Sequence, residues 1–235
     1  MKSIAFFVPN EIFNDFKKIK YKSNGHYAYA ISYYVLVSYL YFNCIIYSPA
    51  EAKQMLGYSK TNNTVNYLTK RDGKIEKINY VKSTINYPVE RIDCTDYEVE
   101  FLCRNDFDLR KKHEGCITNN FSIKFPKKAF NRMRKGLVVR GTFFDISNTT
   151  KIDMRKFFEI MNNPKLGTSA FLIYLKIRNY CLISKSYKFF EKELFISRTT
   201  AEKKINLMDK LDIINVERAK YDSDAWFQNS NTYRA

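Results

Sequence analysis

Hydrophobic and polar positions along this chain predict two long apolar helices, each followed by shorter, amphipathic elements. The stretch 25–50, GHYAYAISYYVLVSYLYFNCIIYSPA, carries no Asp, Glu, Lys or Arg, the pattern of a helix covered on several faces. Its length, and the basic run Lys17, Lys18, Lys20 and Lys22 before it, also fit a membrane span. Tyr29, Ser32, Tyr33, Tyr34, Ser38 and Tyr39 fall mid-span, where tyrosine is out of place. The second long helix is expected over 169–182, with Ala170, Ile173, Tyr174 and Ile177 at helical spacing. A short helix over 187–194 and the tight turn FIS follow. Ser197 then stands as the N-cap of a third helix over 198–211, whose Ala201, Ile205, Met208 and Leu211 share an inward face. Strand-like alternation over 213–219, a polar turn at 221–224 and the stretch AWFQNSNTYR complete a hairpin.

The chain also repeats an order of features. FVPNEIFND near the start has Pro9, Phe13 and Asn14; KFPKKAFNR has Pro126, Phe130 and Asn131 at the same spacing. The long helices from Gly25 and Gly167 come next. Leu56, Ser59, Lys60 and Thr61 are then matched by Leu194, Ser197, Arg198 and Thr199. The offset between copies is larger at the helices than at the proline motif, which predicts an insertion in the second copy around 139–163. In the first copy a third helix is expected over 61–70, ending at RDGK, with a hairpin of 74–81 and 87–92 that 97–102 extends. Lys176 and Arg178 lie inside the second long helix, where charge is costly in lipid; if the copies fold alike, neither spans a membrane.

Composition narrows the chemistry. The 235 residues are 45% hydrophobic and 27% charged, enough for a packed core. Lys and Arg number 40 against 24 Asp and Glu, a formal charge of +16 that points to a polyanionic partner. Between 110 and 140 basic residues cluster against Glu114 alone. Cys44, Cys94, Cys103, Cys116 and Cys181 are scattered, with no CxxC pair, and read as reduced thiols of a cytoplasmic protein. His26 and His113 have no ligand neighbours at helical spacing, so no metal site is expected. No phosphate-binding glycine loop or nucleophile motif occurs, and no cofactor or enzymatic activity is expected.

Helix, helix, tight turn, helix and hairpin over ELFISRTTAEKKINLMDKLDIINVERA to NTYR resembles the winged helix-turn-helix domains of phage, plasmid and bacterial regulators. The resemblance implies an α+β, helix-rich fold of two such domains in tandem, from internal duplication. The first domain would cover 1–105, a basic connecting segment with the start of the second repeat 106–140, and the second domain 141–235. It further implies that each third helix enters the major groove of double-stranded DNA. Arg198 would contact guanine, and Asn62, Asn63 or Asn66 adenine. Thr61, Thr199 and Thr200 would meet phosphates or thymine methyls, Ser59 and Ser197 would cap, and Lys60, Lys70, Lys203 and Lys204 would flank. Lys127, Lys128, Arg132, Arg134 and Lys135 form an expected positive bridge between the readers, and Arg218 and Lys220 lie on the wing. The expected function is a sequence-specific regulator of a phage or mobile element in the cytoplasm of a low-GC bacterium, able to form a homodimer. A replication initiator binding origin repeats is the alternative, and a protein-interaction module a third.

Overall fold

The computed structural model describes residues 5–93, 98–104, 122–130, 142–143, 148–218 and 231–235. It is an α+β fold of helices with small antiparallel sheets. At its centre two long helices pack together, α2 (Gly25–Phe42) and α8 (Gly167–Tyr180). All of α2 except Gly25, Tyr39 and Phe42 is buried. Its apolar character on every face follows from that position, with its own unit on one side and α8 on the other. The buried Tyr27 hydroxyl donates to the Phe13 carbonyl at 3.0 Å, so its polar tip is satisfied within the protein. Among the described residues no helix is long and apolar enough to cross a membrane.

Strands β1 (Ala5–Pro9) and β7 (Thr149–Asp153) join the halves as an antiparallel pair with Phe7 opposite Lys151. From β1 the chain runs into α1 (Ile12–Lys17) and then α2; from β7 it runs into α7 (Met154–Asn162) and then α8. Asp153 starts α7 as its N-cap, accepting from the Arg155 amide. The region 139–163, expected as an insertion, contains β7 and α7, which lead into α8 as β1 and α1 lead into α2. The two proline motifs hold different positions. Pro9 ends β1, whereas Pro126 follows β5 (Ile123–Phe125), which pairs with β2 (Lys82–Thr84) inside the first half. Local strand–proline–helix chemistry is the same in both, but hydrogen bonding assigns the strands to different sheets.

Beyond α8 come β8 (Leu182–Ser184), α9 (Tyr187–Leu194), α10 (Arg198–Lys210), β9 (Asn215–Glu217) and β10 (Thr232–Arg234). The three strands form an antiparallel sheet in the order β8-β10-β9. Ala201, Ile205 and Met208 face inward as the spacing predicts. Leu211 does not: it is 39% exposed, because the helix ends there and Ile213 turns inward instead. The 221–224 turn lies outside the described residues.

The first half has α3 (Pro49–Met55), α4 (Asn66–Thr69), α5 (Lys74–Lys77), β2, β3 (Pro88–Asp93), β4 (Glu98–Cys103), β5, α6 (Lys127–Phe130) and β6 (Thr142–Phe143). A capping box opens α3, the Ser48 hydroxyl accepting from the Glu51 amide at 3.1 Å while Glu51 accepts from the Ser48 amide. Two expectations fail here. The helix over 61–70 shrinks to α4, and the strand over 74–81 is the helix α5 followed by a turn. Ile75 and Tyr80 are both buried; five apart, they would face opposite sides of a strand, whereas the turn closed by the Tyr80 amide on the Ile75 carbonyl brings both inward. The hairpin is instead β3 with β4, to which β6 adds a third strand.

The C-terminal caps of α5 and α10 repeat bond for bond. The amides of Ile78, Asn79 and Tyr80 donate to the carbonyls of Lys74, Glu76 and Ile75, and those of Leu211, Asp212 and Ile213 to Leu207, Asp209 and Met208. Asn79 and Asp212 are both left-handed, at φ 63 and 53, positions that asparagine and aspartate tolerate. Gly57 (φ 76) and Phe195 (φ 56) likewise occupy the turns after α3 and α9.

A buried ion pair closes the first half. The Lys124 ammonium, on β5, donates to Glu76 on α5, to the Ser83 hydroxyl at 2.8 Å and to the Lys70 carbonyl at 3.2 Å. Although burial pushes the other way, hydrogen bonds from Lys124 and Ser83 hold the Glu76 carboxyl below its ordinary value. The turn feeding α5 needs Gly73, where a Cβ would stand 2.6 Å from the Leu68 carbonyl oxygen. Replacing Lys124 by Met leaves the half-buried Glu76 carboxylate without its cation and is expected to cost about 1–3 kcal/mol in urea unfolding. The pair stabilises above Glu76's ordinary 4.5 and is lost as pH falls through the lowered folded value. The acid limb of the wild-type stability profile should therefore flatten in Lys124→Met.

Candidate nucleic-acid interface

The exposed helix α10 is the better formed of the two candidate reading elements. Ser197 is its N-cap, the hydroxyl accepting from the Thr200 amide at 3.3 Å and lying 2.8 Å from the Thr200 hydroxyl. Ser197 and Thr200 thus complete the helix start, and Thr199 Oγ1 stands 3.3 Å from the Ser197 hydroxyl. Arg198, Thr199 and Lys203 are exposed along the first two turns, with Glu202 among them.

Two of the neighbouring expected residues, Lys204 and Arg218, are bonded within the fold. Lys204 bends back to donate to the Lys165 carbonyl, and burial pushes its ammonium down from the ordinary value. This corrects the outward placement expected for it: the aliphatic stem lies along the protein and the head is used internally. Arg218 donates to Asp209 at 2.8 Å and to the Asn206 side chain at 3.2 Å. Asp209 also accepts from the Val216 amide at 3.1 Å, so this cluster fastens the root of β9 to α10. Lys220 lies outside the described residues.

In the first half the corresponding segment is a knob of turns. The Ser59 hydroxyl accepts from the Thr61 amide at 3.3 Å and lies 2.9 Å from the Thr61 hydroxyl. Asn62 Oδ1 accepts from the Thr64 amide at 2.9 Å and the Thr64 hydroxyl at 2.7 Å, and Asn63 Oδ1 accepts from the Asn66 side chain at 2.8 Å. These local bonds compete with helix formation and confine regular structure to α4. Ser59, Lys60, Thr61, Asn63 and Lys70 remain exposed, while Asn62 and Asn66 are half-buried.

Of the expected basic bridge, Arg132, Arg134 and Lys135 lie outside the described residues. Lys127 donates to the Asn79 side chain at 2.7 Å. Lys128 reaches Asp15 at 3.3 Å and lies 5.1 Å from the centre of the Tyr80 ring. Both pin α6 to the first half. Asp15 is held below the usual carboxylate range by Lys18 first, then, against burial, by Tyr80 and Lys128.

A different basic segment sits beside the candidate reading elements. Lys20 and Lys22, on the loop from α1 to α2, are exposed, and the Lys22 amide donates to the Tyr67 hydroxyl of α4 at 3.0 Å. In the sequence this run stands out only as the flank of an apolar helix. Four lysines within six residues were the available signal. Among the described residues no cluster of His, Cys, Asp and Glu could hold a metal ion. Comparison with protein families, curated proteins and solved structures finds no match to this chain.

Removing the Ser197 hydroxyl in Ser197→Ala should cost about 1 kcal/mol of stability by chemical denaturation. Ser197→Asp, which retains an acceptor, should restore most of it.

Proposed function

We propose that the chain is a pair of winged helix-turn-helix units and that it binds double-stranded DNA in a sequence-specific way, as a regulator of transcription rather than an enzyme. The observation that carries this reading is α10: a capped helix that follows a tight turn, presents Arg198, Thr199 and Lys203 outward, packs on α8 and α9, and is fastened near its end to β9. A helix of this diameter fits the major groove, and residues at its start reach base edges. The charge of +16 supplies the attraction to phosphate. The two halves are unequal readers. Only α10 is long enough to lie along a groove, whereas the Ser59–Asn66 knob suits phosphates or one or two base edges. The recurring caps of α5 and α10, and the run strand–helix–long helix in each half, support an origin by duplication.

Selection of bound fragments from a genomic library by the purified protein tests the reading, followed by affinity measurements at increasing salt. Affinity should fall by roughly a thousandfold or more between about 50 and 200 mM salt if six or more phosphates are contacted. Arg198→Ala should cost about 1–3 kcal/mol on the preferred site and flatten the preference at one base pair. Selected sites in promoters accord with a regulator; tandem repeats at an origin would make the protein a replication initiator. A flat salt response would leave a protein-interaction module.

A further inference from the structure

We propose that Lys20 and Lys22 form a pre-positioned phosphate clamp between the two reading elements, gripping the nucleic-acid backbone without reading sequence. The proposal rests on the DNA-binding reading above and names residues outside the expected contact set.

Of the four lysines in this run, two are used internally. Lys17 pairs with Glu193 of α9 at 2.8 Å and Lys18 with Asp15 at 2.7 Å. Lys20 and Lys22 are exposed and have no acidic partner among the described residues. Such a loop would ordinarily be a loose tether, but this one is anchored at two adjacent residues, Tyr21 and Lys22, in opposite directions. On the side of the first half, the Tyr67 hydroxyl accepts from the Lys22 amide and lies 3.0 Å from His26 Nδ1. The Lys22 ammonium stands 5.0 Å from the centre of the same ring. Tyr67 belongs to α4 and follows Asn66 directly, so the clamp is tied to the first reading element.

On the other side, the Tyr21 hydroxyl donates to the Phe16 carbonyl at 2.8 Å, and its ring meets Tyr27 edge-on at 5.7 Å. Tyr27 in turn meets Phe195 edge-on at 5.2 Å. Phe195 is the left-handed residue in the turn that delivers Ser197 and α10. A chain of aromatic contacts therefore places the loop beside the start of the second reading element as well. Lysines held in this way lose little freedom on meeting a polyanion, which is how a rigid element gains affinity over a floppy one. Their contribution is to phosphate, hence to every sequence alike.

The test is a salt series on the full chain, on Lys20→Ala/Lys22→Ala, and on Lys20→Arg/Lys22→Arg, using a selected site and an unrelated duplex. The alanine pair should lower the slope of log affinity against log salt by about two. It should weaken both duplexes by the same factor and leave their ratio unchanged, while the arginine pair keeps the wild-type slope. Both side chains are exposed, so thermal unfolding should be the same in all three proteins. Tyr67→Phe, which keeps the ring but removes the tether, should weaken both duplexes without changing the charge. If the wild type binds duplex DNA and the alanine pair binds with the same slope and affinity, the clamp is wrong and the DNA reading stands. If the alanine pair changes the ratio between the duplexes, these lysines read sequence and the proposal is overturned. If the wild type binds no duplex at any salt, both readings fall.

Discussion

The packing of α2 against α8, closed by the β1–β7 pair, is the constraint on which the rest of the molecule depends. Phe7 faces Lys151 at the centre of that antiparallel pair, and each strand leads through a short helix into its own long helix. This arrangement holds the two halves of the chain together through α2 and α8. It makes each unit incomplete alone, because the face of α2 turned toward α8 would otherwise be a large apolar patch in water. One charged side chain lies buried beside this seam. Lys176 of α8 is buried with its ammonium 4.4 Å from the centre of the Phe13 ring and 5.0 Å from Tyr180. Burial pushes it down from its ordinary value, and the aromatic faces offset part of the cost of desolvating the charge.

From this seam follows the asymmetry of the exposed elements. The second half keeps a regular helix after its tight turn because Thr199 and Thr200 cooperate with the Ser197 cap and no later residue diverts the backbone. The first half places Asn62, Asn63 and Thr64 at the same point, and their side chains satisfy local groups that a helix would need. What remains of its helical register resumes in α5, whose C-terminal cap matches that of α10 bond for bond. Arg71, Asp72 and Gly73 lie between α4 and α5, where the second half has one continuous helix.

Much of the second half was legible from periodicity and capping alone. Ser197 as N-cap, and Ala201, Ile205 and Met208 as the buried stripe, are local signals read over one helix. The first half was less legible because its determinants are long-range. Nothing near Lys82 announces that its strand partner is Phe125, and nothing near Lys74 announces that Glu76 is fixed by Lys124. The proline motifs misled for the same reason: matching local chemistry says nothing about which sheet a strand joins. The apolar run over 25–50 was ambiguous in isolation and became intelligible once a second helix was found to cover it.

Net charge is similarly a poor guide to where a polyanion would sit, since a large share of the cations has internal duties. Lys17, Lys18, Lys124, Lys127, Lys128 and Arg218 all bind carboxylates or amides of the fold. Arg178 donates to the carbonyls of Lys151 and Ala235, joining β7 to the end of β10. Each such pair fixes an element in place and removes a cation from the pool that could meet phosphate. Exposed cations therefore carry more information than total charge. Lys20, Lys22, Lys60, Lys70, Arg198 and Lys203 are exposed on or beside the Ser59–Asn66 segment and α10. A protein selected only for solubility has no need to tie a lysine loop to both elements by tyrosine contacts. On the DNA-binding reading proposed above, such tethering lowers the ordering cost of meeting phosphates, and the count of charges that reach them sets the affinity and its salt dependence.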